Sequence, residues 1–359
     1  MSKVRVGIIG CGGIANGKHM PSLAKVQDAE MVAFCDIVIE RAEEAKLKYG
    51  NPEAKVYSDY HQLLSDGSID VVHVCTPNDS HAEISIAALE ADKHVLCEKP
   101  MAKTAEAARR MLEAAKRTGK KLSIGYNNRF RSDSRYLKEV CAAGDLGEIY
   151  YAKAHAIRRR AVPTWGVFLD EEKQGGGPLI DIGTHALDLV LWMMDNYKPK
   201  AVLGRAYHKL SQTENAANAW GPWDPKEFTV EDSAFAMITM ENGASIVLES
   251  SWALNSLEVD EAKVTLCGTK AGADMKKGLR INGENNSRLY VNEIELNSGG
   301  VAFYDGASED PAELEMRTWI DAVLSDKDVL VKPEQALVVS EILEAIYESS
   351  RTGKAVYFE

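Results

Sequence analysis

Along the first third of the chain, short apolar runs alternate with segments whose apolar residues recur at helical spacing. KVRVGIIG (3–10), AEMVAFCD (29–36), AKVYSD (54–59), IDVVHVCTP (69–77), KHVLCEKP (93–100) and KKLSIGY (120–126) are rich in β-branched residues and each predicts a strand. Between them, SHAEISIAALEAD (80–92) and AEAARRMLEAAKRTG (105–119) predict helices. Strands alternating with helices mean crossover units, and hence a parallel sheet with helices on both faces.

After SIGYNNRF the rhythm changes. GEIYYAKAHAIRRR (147–160), PKAVLGRAYHKL (199–210), DSAFAMITM (232–240), ASIVLESSWAL (244–254) and AKVTLCG (262–268) read as strands without a helix between each pair. TMENGASI (239–246) predicts a hairpin turning at Asn-Gly. One helix is expected from about Pro178 to Asp195, entered through the glycines 175–177, and another over EQALVVSEILEAIYESSRTG (334–353), followed by a short strand. SQTENAANAWGPWDPKEF (211–228) is a long loop of the kind that covers a site or meets a neighbour. The expected fold is α/β: residues 1–125 form a doubly wound domain, and residues 126–359 form an α+β domain with an open, mostly antiparallel sheet.

Composition narrows the function. A chain of 359 residues exceeds one ordinary core, and its net charge of −12 disfavours nucleic acid and anionic membranes as partners. Met1-Ser2-Lys3 runs straight into an apolar strand with no cleavable leader pattern, and the apolar run Leu189 to Met194 is too short to span a bilayer. None of the six cysteines forms a CxxC pair, as expected for buried thiols in a reducing cytoplasm.

Gly10-Cys11-Gly12-Gly13-Ile14-Ala15 is G-x-G-x-x-A at the first strand-to-helix turn. Gly10 permits the turn, Gly12 lets backbone N–H groups approach a pyrophosphate, and Ala15 allows close packing. Asp36 ends the second strand, where a carboxylate accepts ribose hydroxyls, so the first domain reads as a Rossmann dinucleotide-binding domain. The charge of Asp36 repels a 2′-phosphate and Ile37 offers no donor, which favours NAD over NADP. Arg41 is the one nearby residue that weighs the other way.

CTPNDSH (75–81), CEKPMA (97–102) and GGGPLIDIGTHALDL (175–189), in this order and separation, resemble the glucose-fructose oxidoreductase and inositol dehydrogenase family, Gfo/Idh/MocA, over essentially the whole chain. The resemblance implies an NAD(P)-dependent dehydrogenase acting on a secondary hydroxyl of a sugar, inositol or related polyol. It implies that Gly10, Gly12, Gly13, Ile14, Asp36, Thr76, Pro77, Asn78, His81, Glu98, Lys99 and Asn127 contact the cofactor, with Glu98 beside the nicotinamide ribose. It also implies that Lys99 hydrogen-bonds the reacting oxygen, His185 takes the hydroxyl proton and Asp181 orients either His185 or the substrate. Asp181 and His185 stand four apart, on one face of a helix, and a histidine titrates in the range this chemistry needs.

Asn127 and Asn128 follow Tyr126 and precede Arg129 at the domain junction, where family members contact nicotinamide and substrate. Many relatives carry a basic residue where Asn128 stands. In RRRAVPTWGVF (158–168), Arg158 is a candidate for binding hydroxyls and Trp165 for stacking on a sugar ring. No histidine cluster has metal-ligand spacing, so no metal is expected. The family resemblance further implies a homodimer or homotetramer formed through the open sheet. Two other readings stay open: a glycosidase that transiently oxidises its substrate with bound NAD, and a ligand sensor without turnover.

Overall fold

The computed structural model describes residues 3–296 and 310–358. Two compact units emerge: Met1–Phe130 together with Glu309–Leu337, and Arg131–Ser308 together with Val338–Glu359.

The first unit holds a six-stranded sheet of β1 (Val4–Ile9), β2 (Ala29–Cys35), β3 (Lys55–Tyr57), β4 (Val71–Val74), β5 (His94–Cys97) and β6 (Leu122–Ile124), in the order β3-β2-β1-β4-β5-β6. Every pairing is parallel. Helices cover both faces, which is why β4 is buried at every position and reads Val-Val-His-Val, with His73 the one polar side chain, instead of an apolar–polar alternation. The strand order reverses between β1 and β4, and the carboxyl ends of strands at such a switch point form the ligand crevice of this architecture.

Gly10 sits at that point with φ +89°, and a Cβ there would lie 2.7 Å from the Cys75 carbonyl oxygen, so only glycine fits. The chain then enters a helix whose middle, Ala15–His19, is a π-turn, continuing as Met20–Leu23. That turn brings both Lys18 and His19 inward, where they are buried.

A division after residue 125 would count the helix Pro311–Leu324 with the second domain. Its packing places it in the first: Met316, Trp319 and Ile320 join Val6, Ile8, Met20, Leu23 and Leu96 in one core cluster. Asp310 caps it by accepting from the Ala312 and Glu313 amides, ahead of Pro311 at its first turn.

The second unit holds β7 (Ile149–Ile157), β8 (Pro199–Tyr207), β9 (Ser233–Met240), β10 (Ser245–Ser251), β11 (Asp260–Gly268), β12 (Ala271–Asp274), β13 (Arg280–Asn285), β14 (Arg288–Glu293) and β15 (Val356–Tyr357). Their order is β14-β13-β12-β11-β7-β10-β9-β8-β15, with β7 and β10 parallel and the other pairs antiparallel. TMENGASI forms the β9–β10 hairpin, closed by a bond from the Met240 amide to the Ala244 carbonyl.

One face of this sheet is covered by the helix Thr184–Met194, which packs on β7 and β11. The opposite face is open and leaves Leu203, Tyr207 and Met237 exposed. Among the described residues no helix is long and apolar enough to cross a membrane. All six cysteines are free, and burial pushes the Cys11 and Cys35 thiols up to about 12.

Candidate active site

In the first unit, the turn after β1 supplies the features a dinucleotide needs. A Cβ at Gly12 or Gly13 would meet nothing within 4 Å, so the backbone borders open space at the start of a helix. Ile14 is exposed beside it. The buried Asp36 carboxylate accepts from the Cys11 amide and the Val38 amide at 2.9 Å each, which ties the glycine turn to the end of β2. One accepted bond per oxygen leaves lone pairs for ribose hydroxyls. Arg41 comes within 4.0 Å of the same carboxylate, and Ile37 is fully out in solvent. These residues fit an NAD cofactor.

The turn after β4 carries Thr76, Pro77 and Asn78, with the Ser80 hydroxyl donating to Thr76 Oγ1 at 2.8 Å. His81, expected to contact the cofactor, is instead buried with Nδ1 on the Pro100 carbonyl (2.8 Å) and Nε2 on the Thr76 carbonyl (2.9 Å). Burial alone would lower its pKa, but the Cys97 sulfur and the two carbonyls outweigh that and raise it to about 9. A ring donating from both nitrogens is an imidazolium. His81 therefore locks the β4 turn to the segment after β5 and holds Thr76 and Lys99 in register.

Glu98 and Lys99 follow β5. Lys99 is half-buried, and the peptide bond to Pro100 is cis. Glu98, expected beside a ribose, turns inward. Its Oε1 receives Lys18 Nζ at 2.5 Å and His19 Nε2 at 2.7 Å. Oε2 accepts the Lys99 amide at 3.2 Å. Burial would raise Glu98, yet Lys18 and His19 hold it well below the usual carboxylate range. Burial lowers His19 and His73, so both rings are neutral.

Because His19 Nε2–H donates to Glu98, its Nδ1 accepts, at 3.0 Å, the proton carried by His73 Nδ1. Glu315, from the helix Pro311–Leu324, meets Lys18 at 3.2 Å as an ion pair. A single ammonium thus serves two carboxylates, and Glu315, desolvated and facing Glu98, moves upward while Glu98 moves down.

In the second unit, the helix expected from Pro178 begins as a π-turn over Leu179–Gly183 before its α-helical part. Asp181 and His185 are both half-buried on it. Asp181 Oδ2 accepts from Trp252 Nε1 at 3.0 Å and lies 3.9 Å from an Arg158 guanidinium nitrogen. Arg158 is itself held by Glu261 through Nε (2.6 Å) and a terminal nitrogen (2.7 Å). Burial works against its charge, but Glu261 and Asp181 more than compensate and raise its pKa.

The start of this helix rests on the buried carboxylate of Glu231, which accepts from the Gly177 amide (2.8 Å), the Leu179 amide (3.0 Å) and the Tyr347 hydroxyl (2.9 Å). A Cβ at Gly177 would fall 2.2 Å from the Glu231 carbonyl oxygen, which explains a glycine there. Burial raises Glu231 to about 7 despite the donors around it.

Asn127 and Asn128 are half-buried in a turn of helix, whereas Tyr126 and Arg129 are fully buried. Arg129 bonds the Leu330 carbonyl and Gln335 side chain, a structural use. Trp165 is exposed and packs edge-on against Trp220, with ring centres 4.9 Å apart. Sequence reasoning passed over Lys18, His19, Glu231, Trp252 and Glu315. For Lys18, His19, Glu231 and Glu315 the one signal is a polar or charged residue beside apolar positions, Trp252 carries none beyond a strand-like run, and the partners are distant in sequence.

Residues 4–126 match the profile described as "Oxidoreductase family, NAD-binding Rossmann fold", and residues 138–358 match "Oxidoreductase family, C-terminal alpha/beta domain". The chain is similar to a D-glucoside 3-dehydrogenase of Escherichia coli (strain K12), 37% identical over 99% of this chain and 97% of that protein. An inositol 2-dehydrogenase of Salmonella paratyphi B is 34% identical over 54% of this chain and 56% of its own. Among solved structures, an oxidoreductase domain protein from Kribbella flavida shares the fold, with a TM-score of 0.85, full coverage of both chains and 23% identity.

Proposed function

The chain belongs to the Gfo/Idh/MocA oxidoreductase family, and we propose that it oxidises a secondary hydroxyl of a sugar ring to a ketone, reversibly, with D-glucosides as the first substrates to try. The observation that carries this reading is the similarity to a D-glucoside 3-dehydrogenase across nearly the whole of both chains.

In this reading the Gly10–Ile14 turn, Asp36 and the Thr76–Asn78 turn hold NAD, and the Asp36 carboxylate disfavours NADP. Bound there, the nicotinamide supplies a two-electron acceptor. His185 takes the hydroxyl proton, and Asp181, fixed by Trp252 and Arg158, orients that exchange. Lys99 donates a hydrogen bond to the oxygen as it becomes a carbonyl, from a strand end anchored through Glu98. The inward-facing Glu98 acts on Lys99 through its backbone amide. Asn127 and Asn128 add polar contacts to nicotinamide and substrate, and Arg158 binds hydroxyls.

The open sheet face, with Leu203, Tyr207 and Met237 exposed, supports pairing with a second copy of the chain. Six free cysteines support a reducing, cytoplasmic setting.

The test is NADH formation from NAD and a panel of methyl glucosides, free hexoses and inositols. Lys99→Ala and His185→Ala should each cut turnover by about 100-fold or more while NAD binding persists. Full turnover in both variants would overturn the assignment.

A further inference from the structure

We propose that Trp165 and Trp220 form a second subsite beside Asp181, one that takes the aglycone or second ring of a glycoside. The proposal rests on the sugar-oxidising reading above and extends it from the ring that reacts to the group attached to that ring.

Both indoles are exposed, Trp165 at 52% and Trp220 at 46%, although the same loop buries Trp223 to 4%. Trp223 donates Nε1–H to the Ser211 carbonyl and packs perpendicular to Phe228, so it anchors the loop. Trp220 lies three residues earlier and faces out. An adjoining aromatic pair left in water marks a binding surface more often than a lone exposed side chain does.

The pair is held in place before any ligand arrives. The Asn218 side chain accepts from the Val162 amide (2.8 Å) and donates to the Val162 carbonyl (2.9 Å) and the Gly221 carbonyl (2.8 Å). Thr164 Oγ1 donates to the Trp220 carbonyl at 2.8 Å, and the Ala219 amide to the Arg160 carbonyl at 3.0 Å. The segment carrying Trp165 and the segment carrying Trp220 are thereby stitched together, which removes ordering cost from binding.

Two routes link this ledge to Asp181. The Arg158 guanidinium lies 5.7 Å from the centre of the Trp220 ring and 3.9 Å from the Asp181 carboxylate. On the other side Trp165 meets Phe168 at 5.8 Å, Phe168 meets Trp252 at 6.3 Å, and Trp252 donates to Asp181. A ligand whose hydroxyls engage Arg158 and Asp181 has an apolar shelf next to it. Pyranose rings and aryl groups present C–H or π faces suited to indole. A free monosaccharide has no second group to place there, whereas a glycoside does.

Calorimetry on the NADH-loaded protein, comparing phenyl with methyl D-glucosides of both anomers, tests the subsite. The phenyl compound of one anomer should bind about tenfold or more tightly than its methyl counterpart. Trp220→Ala and Trp165→Ala should each bring that ratio towards one, and Trp220→Phe should restore most of it. Equal binding of phenyl and methyl glucosides by the unsubstituted protein, no glucoside binding at all, or a ratio that survives both alanine variants would overturn the subsite. NADH formation with the same compounds is read in parallel. A phenyl preference lost in the variants, but with no NADH from any glucoside, would leave the subsite standing and sink the dehydrogenase reading.

Discussion

Replacing Lys18 by methionine removes the one ammonium that Glu98 and Glu315 share at 2.5 and 3.2 Å, inside a cluster where Lys18, His19, Glu98 and Glu315 are all buried. Methionine fills similar volume, so the loss is electrostatic. Breaking a buried pair by deleting one partner costs about 3–5 kcal/mol, because the remaining charge stays desolvated. The cost depends on pH in a definite direction. In the intact protein, the depressed Glu98 contributes stability that is present above the unfolded carboxylate pKa, near ~4.3, and is lost as pH falls through its folded value.

Without Lys18 the orphaned carboxylates are raised. A raised carboxylate favours folding below about 4.3 and loses that contribution as pH rises. The deficit of Lys18→Met should therefore be smaller at pH 5 than at pH 8. Lys18→Met combined with Glu315→Met should recover more than about 1.5 kcal/mol relative to the single variant, since His19 can then protonate to serve Glu98 alone. Amide hydrogen exchange of β4 and β5, read by mass spectrometry, reports the opening free energy of this unit specifically. A deficit under about 1 kcal/mol that is equal at both pH values, with no recovery in the double variant, would refute the assignment of these charges.

Gly10→Ala should destabilise the first unit by at least about 2 kcal/mol in urea unfolding, because a positive φ and a backbone clash coincide there. Gly12→Ala should melt normally yet weaken NAD by roughly tenfold or more in calorimetry, since its methyl enters space free of protein atoms. Glu231, raised from 4.5 to about 7, favours folding fully below the unfolded carboxylate value and loses that contribution as pH rises through about 7. At about 1.4 kcal/mol per pH unit, unfolding free energy should fall by roughly 3 kcal/mol between pH 5 and 8.5. Glu231→Gln should flatten that slope. Asp36→Ala should raise KM for NAD by roughly 10-fold to 100-fold, the worth of hydrogen bonds to a charged group, and bring in NADP turnover; an unchanged NAD/NADP ratio would count against its role.

The parallel sheet was legible because its strands are short, apolar and bounded by turn residues, and all six lie within the runs read from the pattern. The turns bearing Gly10 and Lys99 were legible because glycine and proline punctuate strand ends. What stayed hidden has physical causes. No residue of β13 or β14 is buried, so RINGEN and RLYVNE show no apolar alternation. The π-turns at Ala15–His19 and Leu179–Gly183 leave no mark in a periodicity that assumes one helical pitch. Glu98 reads from the sequence as a cofactor contact at a strand end, and nothing local marks its pairing with Lys18, eighty residues earlier in the chain. Likewise Glu231 is far in sequence from the helix that it caps.

The helix Pro311–Leu324 supplies Met316, Trp319 and Ile320 to the first unit's core, along with Glu315 for Lys18. Synthesis is therefore out of step with assembly. When the last strand of the parallel sheet leaves the ribosome, the side chains that complete the core cluster of Val6, Ile8 and Leu96 have not been translated. At about 5–20 residues per second they follow on the order of ten to forty seconds later. During that interval the nascent dinucleotide-binding fold carries an open apolar seam and an ammonium short of one carboxylate, which makes it a natural client for chaperones. A recombinant fragment ending at residue 125 would keep that seam permanently.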